Sequence, residues 1–280
     1  MKVLVTGGSG YLGTHVRRFF SADDLSRRAG SDILDEDAAS MVRDYDAVIH
    51  LAALLDKSPG NSEEIFRTNV DGTVNLLREM RADAVFLFAS TKDVYGRFAD
   101  NFAAVNEACP TQYSGQSPLE WSKVIAERYV EYYAHARNFR SCIFRLSNVY
   151  APRTDGNTPG FVGHYADAIN KGEPLRLAAG GVPRRDLLYV DDLSRACRSF
   201  IESIIRHGLY NLGGGARNTL SLSELVGKME EVSGLEAVVD RENPLPDHVP
   251  MNYVTDFTLA AQELGWGPEV GLDEGLKKLF

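Results

Sequence analysis

Residues 1–13 read MKVLVTGGSGYLG: a short apolar run, Val3 to Val5, leads straight into glycines at positions 7, 10 and 13. Gly7 permits a tight turn, Gly10 lets the backbone approach a pyrophosphate, and Gly13 lets the following helix pack closely on the strand. The N-terminus of that helix then faces the anion. A strand before the glycines and a helix-like stretch from Tyr11 to Phe20 after them separate this fingerprint from a plain glycine turn. The spacing predicts a dinucleotide site at the head of a strand–turn–helix unit.

Outward from that unit, apolar runs alternate with helical patterns through the first half of the chain, as a doubly wound parallel α/β sheet requires. Strands are expected at 2–6, 46–51, 84–89 and 141–146. A helix is expected over Glu64–Met80, with Ile65, Val70, Val74 and Leu77 among its apolar positions, and another over Leu119–Ala136. A further short strand near Leu25 follows Gly13 so closely that the first helix must be abbreviated. After Tyr150 the texture turns Gly- and Pro-rich, which marks a second, smaller lobe.

Bulk properties agree. With 280 residues and 44% hydrophobic content the chain can bury a full core, and a net charge of -9 without a basic run argues against a nucleic-acid partner. Cys109, Cys142 and Cys197 lack metal-type spacing, so no metal is expected and the cysteines read as buried small residues. No signal-peptide pattern precedes the first strand and no apolar run approaches the roughly 18 residues a bilayer span needs, so a soluble cytoplasmic protein is expected.

Further landmarks follow in order: His50-Leu51-Ala52-Ala53; Asn69 before Gly72-Thr73; Ser90-Thr91 before Val94-Tyr95-Gly96; Ser122-Lys123 with Ala126-Glu127; and Arg145-Leu146-Ser147-Asn148-Val149-Tyr150. The second lobe adds Arg184-Arg185-Asp186, Tyr189-Val190-Asp191-Asp192, Tyr210-Asn211-Leu212-Gly213-Gly214-Gly215 and Leu264-Gly265-Trp266. Together with the glycine loop these resemble the extended short-chain dehydrogenase/reductase family, specifically its nucleotide-sugar epimerases, dehydratases and reductases, over almost the whole chain. The resemblance implies a Rossmann domain over 1–149 completed by 187–213, and a substrate lobe from 150–186 and 214–280. It also implies a homodimer built on the helix carrying Lys123 and the one over Glu64–Met80.

By the same resemblance Gly7, Ser9, Gly10, Tyr11, Leu12 and Gly13 hold a nicotinamide dinucleotide, Asp32 and Ile33 lie beside its adenine, and Leu51, Ala52 and Ala53 line it. The end of the second strand selects the cofactor, since an acid there accepts from the ribose hydroxyls while arginine accommodates a 2'-phosphate. Read as ending at Ser26-Arg27-Arg28, the strand favours NADP through Arg27 and Arg28. An earlier strand would give the ribose role to Asp23 or Asp24, and the cofactor would be NAD.

In redox members of the family a Ser or Thr bonds the reacting sugar oxygen, and a Tyr one helical turn before a Lys moves its proton. Thr91 and Lys123 match the first and last, but position 119 is Leu, which carries no exchangeable proton. Loss of a positioned acid/base typically lowers the rate ~10²- to 10⁴-fold. Tyr113, in the loop before the Lys helix, and Asp93, two residues after Thr91, are candidate replacements. Glu120 adjoins the vacancy but points about 100° away. Lys92 stands where the dehydratases carry an acid, which argues against sugar 4,6-dehydration.

In the second lobe Asn148 matches a nucleotide-sugar contact and Arg185 a diphosphate partner, with Arg184 adjacent; a planar guanidinium grips phosphate bidentately. Asp191 and Asp192 are expected to cap the next helix. Leu245 takes the place of a second phosphate-binding arginine, and His164, His207 and His248 read as isolated surface or packing residues. The sequence therefore points to a nucleotide-sugar epimerase or reductase with an altered proton-transfer centre. The alternative is a catalytically impaired or non-redox dinucleotide-binding protein with a regulatory or lyase-type role.

Overall fold

The computed structural model describes residues 1–154, 156–243 and 250–280. Six parallel strands form the main sheet: β1 (Val3–Thr6), β2 (Asp23–Leu25), β3 (Ala47–His50), β4 (Val85–Thr91), β5 (Arg140–Leu146) and, after the intervening lobe segments, His207–Leu212, which is β9 below. Their spatial order is β2-β1-β3-β4-β5-β9, with every neighbouring pair parallel. All four residues of β1 and of β3 are buried, which is why they read as uninterrupted apolar runs. The chain steps from β1 to β2 on one side and returns to β3 on the other, so a crevice opens at the carboxyl ends of β1 and β3, where α/β sheets take ligands.

Helix α1 (Tyr11–Phe20) stops at Ser21 in a left-handed conformation and β2 begins two residues later, the abbreviation the sequence demands. Short α2 (Glu36–Ser40) precedes β3. The helix expected over 64–80 forms as α3 (Ser62–Phe66) and α4 (Gly72–Glu79), joined by a π turn at Arg67–Asp71. The second predicted helix is α5 (Pro118–Arg137), with Pro118 in its first turn. Helices α4 and α5 pack side by side on one face of the sheet.

The remaining chain builds β6 (Asn148–Tyr150), α6 (Phe161–Lys171), β7 (Leu175–Ala178), β8 (Arg184–Tyr189), α7 (Val190–Glu202), the returning β9, β10 (Thr219–Ser221), α8 (Leu222–Ser233), β11 (Val239–Asn243), α9 (Thr258–Leu264) and α10 (Leu272–Lys277). Strands β10, β8 and β6 form one small sheet, β11 and β7 another. Helix α7 lies against α1, opposite the α4/α5 layer. The three cysteines are buried and unpaired.

Two buried aspartates tie these pieces together through long-range bonds that local sequence does not reveal. Asp186 accepts from the backbone N–H of Gly214 (2.6 Å), Gly215 (3.1 Å) and Thr255 (2.7 Å) and from the Ser147 hydroxyl (3.2 Å). Asp192, contrary to the expectation from sequence, does not cap α7. Its oxygens accept from the N–H groups of Glu269 (3.0 Å) and Val270 (3.2 Å), and its carbonyl accepts from the Trp266 indole. Both carboxylate oxygens are thereby spent on the C-terminal segment, and α7 has no side-chain cap.

A buried ion pair joins helix to sheet. Glu127 on α5 accepts from Arg145 on β5 through both oxygens (3.0 and 2.6 Å) and from the Ser90 hydroxyl on β4. Arg145 also donates to the Tyr95 hydroxyl (3.1 Å), which donates to Asn211 on β9 (2.7 Å). Removing one partner of such a pair strands a charge out of water. Arg145→Met is expected to lose about 3–5 kcal/mol of stability in urea denaturation. A loss below about 1 kcal/mol would show that the pair contributes little.

Candidate active site

The glycine loop is close-packed backbone. Gly7 has φ of 69°, and a Cβ on it would lie 2.9 Å from the Ala52 Cα and N; a Cβ on Gly13 would collide with the Gly7 carbonyl. Gly10 N–H donates to that carbonyl (2.8 Å). Helix α1 opens at Gly10 with no side-chain cap and no acid in its first turn, so its N–H groups are left for an anion. Leu51 and Ala52 lie against this loop: Leu51 N–H donates to the Thr6 carbonyl (3.1 Å) and Ala52 N–H to its hydroxyl (3.3 Å).

Two residues beneath the crevice hold it in shape. His50 bonds Thr6 (2.6 Å) and Thr73 (2.9 Å) through its two ring nitrogens, and burial, helped by the Lys123 charge, pushes its pKa down to about 3, so the ring is neutral. Asn69, in the π turn, bonds both the N–H (2.7 Å) and the carbonyl (3.1 Å) of Leu54 and donates to Ser122 on α5 (2.9 Å). An isolated π turn often marks a functional position.

At β2 the structure resolves what sequence left open. The strand ends at Leu25, and Asp24 pairs in register with Val5. The Asp24 carboxylate accepts from the Ser9 hydroxyl of the glycine loop, from Ser26 (3.1 Å) and from Arg17 (3.4 Å). Asp23 faces away and accepts from Tyr45 (2.8 Å). Arg27 and Arg28, expected to receive a 2'-phosphate, are already engaged. Arg27 binds Asp32 (2.8 Å), and Arg28 binds Ser9 O (3.2 Å), Asn157 (2.6 Å) and Gly156 O (2.5 Å). The strand stops short of the Ser26-Arg27-Arg28 end read from the sequence, which leaves both arginines beyond it. Ile33 is core, packed where Gly72 leaves room, and the Tyr11 hydroxyl is tied to the backbone of Ala151 (2.6 and 2.8 Å).

Across the crevice, Lys123 is buried on α5 with its ammonium donating to Ala89 O (2.8 Å) over the Phe88 ring (4.8 Å). Burial drives its pKa down to about 8 against the opposing pull of Glu127. Leu119, one turn earlier on the same helix, is also buried. Thr91 ends β4, and its Oγ1 accepts from Asp93 N–H (3.1 Å). Tyr113 is not brought to this centre: it is 69% exposed and stacks on Trp121 with ring centroids 6.3 Å apart.

A chain of four charges runs past Thr91. Lys92 is buried and donates to Asp93, whose other oxygen pairs with Lys57 (3.2 Å); Lys57 pairs in turn with Glu120 (2.8 Å). Glu120 also accepts from the Ser117 N–H (2.7 Å) and hydroxyl, closing the first turn of α5. Burial alone would raise the Asp93 pKa, but the two ammonium groups outweigh it and hold the carboxyl well below the usual range. Sequence reasoning missed Lys57, since its partners are distant in the chain.

Asn148 donates to Asp186 O (2.9 Å). Arg185 is buried, donates to Arg184 O (2.8 Å), Pro250 O (3.2 Å) and Met251 O (3.2 Å), and feels the charge of Asp93. Leu245 and His248 lie outside the described residues. Among those residues no cluster of His, Cys, Asp or Glu suits a metal ion, and no helix is long and apolar enough to cross a membrane.

The crevice fits a nicotinamide dinucleotide. A side-chain-free cradle meets an uncapped helix end, and Asp24 Oδ1 is buried with no hydrogen-bond partner among the described residues. Fold and crevice together define a doubly wound dinucleotide-binding protein. The sequence model of the NAD dependent epimerase/dehydratase family matches residues 3–213, and the chain belongs to that family. It is similar to the CDP-paratose 2-epimerase of Salmonella typhi, with 26% identity over 100% of this chain and 98% of that protein. A putative UDP-glucose 4-epimerase of Methanocaldococcus jannaschii is 27% identical over 99% and 96%. Among solved structures, MoeE5 in complex with UDP-glucuronic acid and NAD superposes with a TM-score of 0.86, 25% identity and coverage of 100% and 97%. The UDP-glucose 4-epimerase of Thermus thermophilus in complex with NAD gives a TM-score of 0.83, 26% identity and coverage of 99% and 97%.

The depressed Lys123 pKa fixes a stability signature. Between about 8 and the ordinary value of 10.5 the folded chain binds fewer protons at this site than the unfolded chain, so stability rises with pH through that window. The penalty of burying the charge is fully present below it. Wild type is expected to gain up to about 3 kcal/mol on Lys123→Met across this range, measured by paired urea melts. Parallel pH profiles would contradict it.

Proposed function

We propose that this chain holds NAD in the crevice and acts on a nucleotide-sugar as an epimerase or reductase. The observation that carries this reading is Asp24: a largely buried carboxylate at the end of β2, bonded to the glycine loop and with one oxygen free of hydrogen bonds among the described residues. A carboxylate there accepts from the adenosine ribose hydroxyls and repels a 2'-phosphate. With Arg27 and Arg28 engaged elsewhere, this supports NAD in place of the NADP expected from sequence.

When bound, the nicotinamide supplies hydride acceptance and return. The chain's own residues do the rest. Gly7, Ser9, Gly10, Leu12 and Gly13 present backbone to the pyrophosphate, and Leu51, Ala52 and Ala53 wall it. Lys123 orients the nicotinamide ribose, Thr91 offers its hydroxyl to the reacting sugar oxygen, and Asn148 and Arg185 take the nucleotide diphosphate. Neutral His50 keeps the floor of the crevice fixed without adding charge. Ile125, Tyr129 and Tyr132 lie exposed along one stripe of α5, which supports pairing of two copies through that helix. Leu119 favours a second reading, in which the chain binds both ligands without converting them.

Calorimetry is expected to show wild type binding NAD more tightly than NADP, and Asp24→Ala losing about ten- to a hundredfold in NAD affinity. Tighter NADP binding by wild type would overturn the cofactor assignment. Conversion of any member of a nucleotide-sugar panel by NAD-loaded protein supports the enzymatic reading; binding without conversion sustains the second.

A further inference from the structure

Position 119 cannot carry a proton, and three nearby candidates are disqualified by their surroundings. Tyr113 stands at the surface against Trp121. Glu120 has one oxygen committed to Ser117 and the other to Lys57. Asp93 is locked between two ammonium groups, which leaves it too weakly basic to take a proton near neutrality. Lys92 remains: it follows Thr91 in the chain at the carboxyl end of β4, its whole side chain is buried, and its ammonium lies between Asp93 and the Tyr253 ring (4.9 Å).

We propose that Lys92 is the acid/base of this site, and that Lys57 and Asp93 position it. The proposal rests on the NAD-dependent reading above. In the oxidising direction the O–H bond of the sugar alcohol breaks and its proton passes to the lone pair of neutral Lys92 Nζ. The oxygen electron pair forms the carbonyl as the carbinol hydride leaves to the bound nicotinamide dinucleotide, and the reducing direction returns both.

The surrounding charges suit a lysine that changes state. Burial disfavours its charge, as do Arg185 and Lys57, while Asp93 favours it, and the balance lies below the ordinary lysine value. Lys57 makes the neutral form tolerable: it stays paired with Asp93 and Glu120 when Lys92 gives up its proton, so neither carboxylate is stranded. When Lys92 is protonated the four groups sum to zero charge, so the proton taken from the substrate restores balance.

Trace acetylation across a pH series, with the Lys92 peptide quantified by mass spectrometry, reads this amine directly without substrate. Its labelling midpoint is expected below that of surface lysines, and Lys57→Met is expected to move it upward by removing a repelling charge. In single-turnover hydride transfer with NAD-loaded protein, Lys92→Met is expected to fall ~10²- to 10⁴-fold with NAD affinity within about twofold of wild type. Lys92→Arg, too basic to release its proton, is expected not to rescue the rate. Transfer by Lys92→Met within about threefold of wild type overturns the assignment while leaving the NAD-dependent reading intact. A midpoint unmoved in Lys57→Met also overturns it. Wild type that binds nucleotide-sugars but converts none overturns both.

Discussion

The buried pair of Glu127 and Arg145 is the constraint on which the site depends. A carboxylate and a guanidinium held out of water must stay in register with each other, so α5 cannot slide or rotate on β5 without stranding a charge. Ser90 brings β4 into the same contact, and Tyr95 with Asn211 extends it to β9. Lys123 sits one turn before Glu127 and inherits that fixed geometry, which presses its ammonium into the Ala89 carbonyl over Phe88. The proximity of Glu127 also limits how far burial depresses the lysine.

On the other side of the crevice the controlling fact is the lack of side chains. Gly7 and Gly13 approach their neighbours so closely that a single Cβ would force the loop apart, and the space beside them is finished by the Asp24 carboxylate. The segments that follow β5 are braced differently, by Asp186 gathering three backbone N–H groups from segments far apart in the chain. The centre between them keeps Thr91 and Lys123, has leucine where a phenol is expected, and carries an ion-pair chain through Lys57, Asp93 and Lys92. A simple loss of function would not by itself require that chain, whose inner lysine is buried.

Much of this is legible in the sequence because it is local. The strands expected at 2–6, 46–51, 84–89 and 141–146 form within one or two residues of those positions, and both long helices form, one with an unforeseen π turn at Asn69. The close-packed glycine loop follows from spacing. The cofactor register does not, because β2 stops at Leu25 and leaves Asp24 inside the strand and the arginines beyond it, an end that local sequence did not mark. The roles of Asp192 and Lys57 are invisible for a different reason: each partner lies tens of residues away, and only the folded chain brings them together.

On the proposed reading this centre runs hydride chemistry with Leu119 in the place of the tyrosine. The most direct measurement follows a nucleotide-sugar deuterated at its reacting carbon through conversion by the NAD-loaded protein. Deuterium kept on that carbon in the product is the expected result, since the hydride leaves and returns without meeting solvent. Deuterium lost to water would mean that the carbon is deprotonated instead, and would contradict hydride transfer in this crevice.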